Sequence, residues 1–172
     1  SDYERLGGFL KCNPAVKTEK DRLALIQALE DGVITTIGTD HAPHEIEAKS
    51  GNYKHCASGV PSVQFSLLAL LDLWKLSLET IIKATSENVA ARYRIKNRGK
   101  IEEGYYADLA IINPLKPHTV EKSEIASKCG HSPFSEHTFS CSVVHTIVNG
   151  NLVVENGRLV DESCGCALEF DR

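Results

Sequence analysis

The segment 39–44, TDHAPH, places an acid and two histidines close together. Asp40 directly follows the β-branched and apolar run 33–39, VITTIGT, which predicts a strand buried on both faces. A carboxylate at the end of such a strand projects into a preformed site, where it can bind a metal ion, act as a general base, or do both in turn. The alternative is a loop carboxylate that caps backbone amides. The position of Asp40 favours the functional interpretation.

Three more residues are candidate substrate contacts. Asn13 follows the short apolar run 9–12, and its amide offers donors and an acceptor suited to an amide, ureide or carboxylate. An Asn-Pro pair is also a common turn, and this alternative stays open. Ser58 and Gly59 lie late in the irregular stretch 40–60, where glycine lets the backbone approach a ligand closely.

Two local metal sites are possible alternatives. The first would be a zinc site formed by the side chains His41, His44, His55 and Cys56. An isolated loop histidine is more often solvated or a hydrogen-bond partner. The second would use the close pair Cys164 and Cys166, although the tail has no obvious second pair and plain packing is favoured.

The elements that must position these residues alternate between strand and helix. Thr18 and Asp21 resemble a capping box, and the helix that they begin is expected to stop at Gly32. Together with the strands 9–12 and 33–39, this order is typical of a (β/α) barrel or a doubly wound sheet.

The helices that follow the loop are predicted from proline and serine. Pro61 is expected to open a largely buried apolar helix. Ser77 and Ser86 are expected to cap two shorter helices over 78–84 and 87–93.

The pattern changes near Ile95 to that of a small β module. A strand is predicted over 107–112, and the stretch 138–148 partly alternates. Asn149-Gly150 and Asn156-Gly157 are hairpin signals before further short strands.

The composition excludes some classes of protein. The chain has 172 residues and a net charge of -4, which gives no support for a nucleic-acid-binding surface. No apolar run approaches the ~20 residues that span a bilayer, so no membrane association is expected. The first residues do not resemble a signal peptide, and the six cysteines are therefore predicted to be free thiols in the cytoplasm. The absence of Met suggests a fragment, unless an initiator Met was simply removed.

The two polar motifs together resemble the dihydroorotases, which are cyclic amidohydrolases. GTDHAPH follows KCNPAVK, with Asp40 27 residues after Asn13, and the resemblance continues through SGVP, GKIEEGYYADLAIINP, SPF and VVHTIVNGNLVVENG. It covers nearly the whole chain. It implies an α/β fold in which residues 1–94 are the last strands and helices of a (β/α)8 metal-dependent hydrolase barrel and residues 95–172 a small β-sandwich module. Allantoinases and dihydropyrimidinases carry related SDH-like or TDH-like motifs, and the CNPA and APH strings favour dihydroorotase.

The resemblance implies the reversible cyclisation of N-carbamoyl-L-aspartate to dihydroorotate in pyrimidine biosynthesis. The implied cofactor is zinc, binuclear in the complete enzyme. Asp40 would be a metal ligand and would carry a proton to the departing ring nitrogen. Asn13 and His44 would hold the substrate, His44 against its carboxylate, while Ser58 and Gly59 would supply backbone contacts.

The implied site is incomplete in this chain. The family takes most metal ligands from earlier strands, including an HxH pair, often a carboxylated lysine and two further histidines, and this chain contains no HxH. We therefore expect a fragment that is inactive alone. Its uncovered sheet face predicts association with the missing N-terminal half of the barrel, or self-association as a homo-oligomer. A non-catalytic scaffold module and a different enzyme with a local His/Cys zinc site are the alternative hypotheses.

Overall fold

Helices occupy the first half of the computed structural model, which describes residues 2–161 and 164–171. The α-helices are α1 (Asp2–Leu6), α2 (Glu19–Glu30), α3 (Ile46–Lys49), α4 (Ser66–Asp72), α5 (Leu78–Ile82) and α6 (Asn88–Tyr93). A 3₁₀ turn at Gly7–Leu10 follows α1, and a π turn at Lys83–Glu87 joins α5 to α6. The described residues contain no helix that is both long enough and apolar enough to cross a membrane.

The start of α2 confirms the predicted capping box. The Thr18 hydroxyl accepts a hydrogen bond from the Asp21 N–H, and the Asp21 carboxylate accepts one from the Thr18 N–H at 3.0 Å. These two bonds satisfy N–H groups that have no partner inside the helix. The helix ends at Glu30, just before Gly32, whose φ of 70° is the conformation expected at a glycine stop.

Neither strand predicted for the first half has ladder pairing among the described residues. Part of the run 9–12 lies in the 3₁₀ turn, and Val33 is 78% exposed, so the run 33–39 is not buried on both faces. A parallel strand needs a neighbouring strand on its edge, and the described part of the chain supplies one isolated parallel bridge, between His41 and Val60. The Ile37 N–H donates instead to the Ala84 carbonyl at 2.9 Å.

Two predicted helix starts are also wrong. The helix expected from Pro61 begins only at Ser66, and the N–H groups of Ser62 and Val63 before it donate to the ring of His41. Ser86 caps nothing, because the π turn carries the chain from α5 into α6 without a break. The cap at Ser77 is confirmed, since its hydroxyl accepts a hydrogen bond from the Thr80 N–H.

The second half of the chain forms two small antiparallel sheets. The strands are β1 (Leu109–Asn113), β2 (His118–Thr119), β3 (Thr138–Phe139), β4 (Ser142–Val148), β5 (Asn151–Glu155) and β6 (Arg158–Leu159). One sheet has the order β1-β4-β5-β6, and β2 pairs with β3 in the other. Both predicted hairpins form, and Asn149 and Asn156 have positive φ, as type I′ turns require.

Helix α4 lies between two buried clusters. One cluster joins the helix to the β module and contains Phe65, Leu68, Ala69, Val120, Phe139 and Cys141. The other joins it to α2, α5 and the π turn and contains Leu29, Leu70, Leu76, Ile81 and Ala84. Leu68 and Leu70, on different faces of α4, therefore attach the β module and the helical part to one element.

Candidate active site

Asp40 lines a cleft with a volume of about 930 Å³. The walls of the cleft include the N-terminal segment with Leu10, Cys12, Pro14 and Val16, Thr39 beside Asp40, Val60 and Ser62 before α4, and the β-module loop from Pro133 to His137. Trp74 also lines the cleft. Residues far apart in the sequence therefore line one cleft together with Asp40.

The Asp40 carboxylate is solvent-accessible and unpaired. The residue is exposed, and its carboxylate makes no hydrogen bond or ion pair with any residue that the structure describes. Its backbone has φ 45°, which lies in the left-handed region that aspartate tolerates better than most residues. The alternative in which Asp40 caps backbone amides is therefore not realised. An unpaired carboxylate in a cleft can bind a cation or exchange a proton.

His44, Ser58 and Gly59 lie in contact with one another. The Nε2–H of His44 donates to the Ser58 carbonyl at 2.9 Å, which leaves Nδ1 as the other polar atom of that ring. Gly59 is buried, and its N–H donates to the carbonyl of Lys11 at 2.9 Å. A Cβ on Gly59 would lie 2.9 Å from Cδ2 of His44, so glycine is what permits this packing.

Asn13 lies beside this group in the chain but is not bonded to it. Its side chain is exposed, and its neighbours Cys12 and Pro14 line the cleft with Asp40. The Lys11 carbonyl that binds Gly59 lies two residues before Asn13. The structure therefore connects the segment that carries Asn13 to Ser58-Gly59, and it places Asp40 on the adjoining cleft wall.

The β module holds the histidine segment from the other side. The Nε2–H of His131 donates to the backbone carbonyl of His44 at 2.9 Å. The His131 ring also packs edge-on against Phe9, with 5.1 Å between the ring centroids. Nothing in the sequence context of His131 distinguishes it from the other histidines of the module, so its role appears only in the structure.

The local zinc site is not formed. His41 accepts hydrogen bonds at Nδ1 from the N–H groups of Ser62 and Val63, at 3.1 and 3.2 Å. Cys56 is buried, and its thiol lies 3.4 Å from the Tyr53 carbonyl. These atoms serve local structure and do not converge on a point.

The cysteine pair in the tail likewise has other contacts. The Cys166 sulfur accepts a hydrogen bond from the Arg98 guanidinium at 3.1 Å, and the Cys164 carbonyl accepts one from Asn149 at 2.6 Å. This pair therefore secures the tail to the β module, as the packing alternative expects.

The described residues fit zinc only in part. Zinc sites in proteins use three or four protein ligands. Across 2–161 and 164–171, no group of three or more His, Cys, Asp and Glu side chains could hold a metal ion. The unpaired carboxylate of Asp40 suits one ligand position, and the donor set around it is otherwise incomplete.

Two lysines that the sequence patterns did not single out, Lys11 and Lys49, bond to distant parts of the backbone. Lys49 is fully buried, and its ammonium donates to the carbonyls of Lys11, Ala57 and Gly59. Burial lowers the pKa of Lys49. The Lys11 ammonium reaches in the opposite direction and donates to the Cys56 carbonyl at 2.8 Å. The flanking residues, Ala48 and Ser50 for Lys49 and Leu10 and Cys12 for Lys11, do not distinguish a lysine that bonds distant carbonyls from a solvated one.

The comparisons with known proteins agree on one family. The sequence profile described as the amidohydrolase family matches residues 11–153. The dihydroorotase of Clostridium acetobutylicum is 37% identical over 154 residues, which is 87% of this chain and 36% of that protein. The allantoinase of Bacillus velezensis is 32% identical over 160 residues, covering 91% of this chain and 35% of its own length.

The fold matches solved structures of related enzymes. The L-hydantoinase (dihydropyrimidinase) of Arthrobacter aurescens superposes with a TM-score of 0.81 at 29% identity, over 94% of this chain and 38% of that chain. The dihydropyrimidinase of Brevibacillus agri also gives 0.81, at 23% identity, over 90% of this chain and 35% of its own, and shows the fold alone. The chain spans about a third of the length of the curated relatives that it matches.

Proposed function

The chain belongs to the amidohydrolase family, and on that premise we propose that it forms one wall of the active site of a dihydroorotase. The observation that carries the proposal is the unpaired Asp40 carboxylate in the cleft, within a motif that resembles that of dihydroorotases. Sequence similarity to several dihydroorotases, at 33–38% identity over most of this chain, supports the same substrate class. The reaction is the reversible cyclisation of N-carbamoyl-L-aspartate to dihydroorotate.

We propose that residues 1–94 are the last part of a (β/α)8 barrel and residues 95–172 a β-sandwich module. The match to the hydantoinase structure supports this assignment. In a barrel, the run 33–39 would pair with preceding strands, which would cover the exposed Val33 and complete the site. The remainder of the barrel is thus the first partner we propose, and self-association through the same face is the alternative.

Some residues of this chain would transfer a proton, and others would bind the substrate. Asp40 would accept a proton from the attacking water and deliver it to the departing ring nitrogen in the hydrolytic direction. His44 would use Nδ1, the ring nitrogen that Ser58 does not engage, to contact the substrate carboxylate. Asn13 would bind the ureide, and Ser58-Gly59 would contact the ring through the backbone.

Zinc is the cofactor we propose, with Asp40 as one ligand and the others outside the described residues. Zinc, when bound, lowers the pKa of a coordinated water towards about 7, which makes attack on an amide feasible near neutral pH. Asp40 cannot assemble this centre without further ligands, so the isolated 172-residue chain is expected to be inactive.

A second candidate is hydrolysis of another cyclic amide, of the allantoinase or dihydropyrimidinase type. The similarity to the Bacillus velezensis allantoinase and the hydantoinase superposition favour it. Both candidates use the same Asp40 chemistry and differ in the substrate that the cleft accepts. Steady-state assays with N-carbamoyl-L-aspartate, allantoin and dihydrouracil would separate them.

The proposal is tested with the Asp40→Asn variant of this chain, assayed together with the rest of the proposed barrel. The change keeps the shape and removes the proton acceptor, so we expect carbamoyl-aspartate cyclisation to fall by about 100-fold or more. Stability should hardly change, because the carboxylate makes no hydrogen bond or ion pair with described residues. Glu45→Gln is the matched control, since it removes the same charge from an exposed position in the same loop. Equal activity of the Asp40→Asn and unaltered proteins would refute the proposal and favour a scaffold role.

A further inference from the structure

Lys49 is a buried cation that the proposed chemistry does not use. Its side chain is 0% exposed, although Ala48 and Ser50 on either side are exposed. No carboxylate among the described residues pairs with it, so the ammonium is held by backbone alone. A buried charge without a counter-ion persists only where other polar groups replace its water.

Three carbonyl groups supply that replacement. The Lys49 Nζ lies 2.9 Å from the Lys11 oxygen, 3.0 Å from that of Ala57 and 2.7 Å from that of Gly59. An ammonium has three N–H donors, and three acceptors therefore satisfy it completely. The Gly59 N–H donates to the same Lys11 oxygen at 2.9 Å.

These acceptors flank the proposed substrate contacts. Ala57 and Gly59 lie on either side of Ser58, and Lys11 lies two residues before Asn13. One ammonium, 38 residues after Lys11 in the chain, thus bonds the Lys11 segment to the segment 57–59, and the two segments carry different parts of the proposed binding surface. A well-packed apolar side chain would be a simpler choice for stability alone, but it would remove the ammonium donor from the Ala57 and Gly59 carbonyls, while the Lys11 carbonyl would keep only the Gly59 N–H.

We propose that Lys49 is a positioning residue, which holds the backbone of Ser58-Gly59 against the segment carrying Asn13 in the geometry that binds substrate. We call the three hydrogen bonds from the Lys49 ammonium to the carbonyls of Lys11, Ala57 and Gly59 the tether. The role of the tether in substrate binding rests on the proposed function, whereas the tether itself does not. Two sets of measurements therefore test the tether and its use separately.

The tether is tested first without any substitution. Proton exchange of the Lys49 ammonium, followed by ¹⁵N NMR at neutral pH, should be slow because all three protons are buried and bonded. Exchange as fast as that of the exposed Lys54 would overturn the proposal. This measurement tests whether the tether exists even if the Lys49 variants do not fold.

Substitution then tests what the tether holds. In Lys49→Met, hydrogen exchange of the Gly59 amide should accelerate by about tenfold or more, because the Lys11 carbonyl that it binds is no longer fixed. The amides of β4 should keep their protection, and Lys54→Met, which removes an exposed lysine from the same loop, should alter neither. Unchanged exchange at Gly59 would overturn the proposal.

Use of the tether is tested in the complete enzyme. Lys49→Met should raise the KM for N-carbamoyl-L-aspartate by about tenfold and leave kcat within about threefold, because Asp40 is not displaced. A merely structural residue would reduce the active fraction and leave KM unchanged, which would overturn the positioning role. If the unaltered protein cyclises no substrate while the exchange results hold, the proposed function fails and the tether stands.

Discussion

Gly59→Ala should be among the most destabilising glycine-to-alanine substitutions in the loop between Asp40 and α4. The added Cβ would lie 2.4 Å from the Ala42 oxygen and 2.8 Å from the Ala42 Cβ. The backbone of Gly59 also has φ +150°, which side-chain-bearing residues rarely adopt. The substitution therefore combines a steric clash with backbone strain at the point where this loop meets His44.

The two effects can be estimated separately. A residue forced into a sparsely populated backbone conformation loses roughly 1–3 kcal/mol. Overpacking a close contact loses roughly 1–3 kcal/mol more, because the backbone of Ala42 must move to admit the methyl group. Together they predict that the free energy of unfolding falls by roughly 2–6 kcal/mol.

Two other glycines provide matched controls. Gly51 has φ +91° with nothing within 4 Å of the added Cβ, so Gly51→Ala carries the strain without the clash. Gly8 lacks a positive φ, but its added Cβ would lie 2.4 Å from the Lys49 oxygen, so Gly8→Ala carries the clash without the strain. Each control should lower stability by less than Gly59→Ala.

Urea denaturation followed by circular dichroism measures all three variants. Midpoints are compared at equal m-values, so that a difference reports stability and not a change in the unfolded state. If Gly59→Ala were no more destabilising than Gly51→Ala, the close packing of Gly59 on Ala42 would be refuted.

Two further predictions concern α2 and its contacts. Thr18→Ala should lower the free energy of unfolding by about 1 kcal/mol, because it removes the N-cap acceptor for the Asp21 N–H. A lower midpoint of thermal unfolding, with the structure of α5 unchanged, would confirm it. Glu30 accepts hydrogen bonds from the Ser77 N–H at 2.8 Å and the Thr80 hydroxyl at 2.7 Å, and these bonds lower the pKa of Glu30 below its ordinary value of 4.5. The contribution of Glu30 to stability is therefore present above pH 4.5 and is lost as the pH falls through the lowered pKa. The urea midpoints of Glu30→Gln and of the unaltered protein should therefore differ at pH 7 and converge at acidic pH. A gap between them that widened on acidification would contradict this assignment.

Elements with strong local signals were predicted correctly. Asn149-Gly150 and Asn156-Gly157 form the expected hairpins, because few other residue pairs adopt positive φ twice in succession. The capping box at Thr18 is equally local, since both partners lie within one helical turn. These features depend on neighbours in the sequence and need no tertiary context.

Elements whose stability comes from partners were predicted less well. The run 33–39 has a strand composition, but strand pairing requires an adjacent strand that the described residues do not supply. Ser86 is a good cap in isolation, yet burial of Ala84 against the core keeps the chain helical through the π turn. Tertiary packing outweighs local preference in both cases.

The sequence by itself determined the chemistry that Asp40 can perform and the family to which its motif points. Residue type and motif spacing are sufficient for that, because a carboxylate keeps its chemistry in any fold. The tertiary structure decided which groups are available for it. His41 accepts two backbone hydrogen bonds, His44 has one ring nitrogen engaged by Ser58, and Lys49 is buried under carbonyls from distant segments. Such contacts join residues 14 to 38 positions apart, and neither composition nor periodicity encodes which of them will meet.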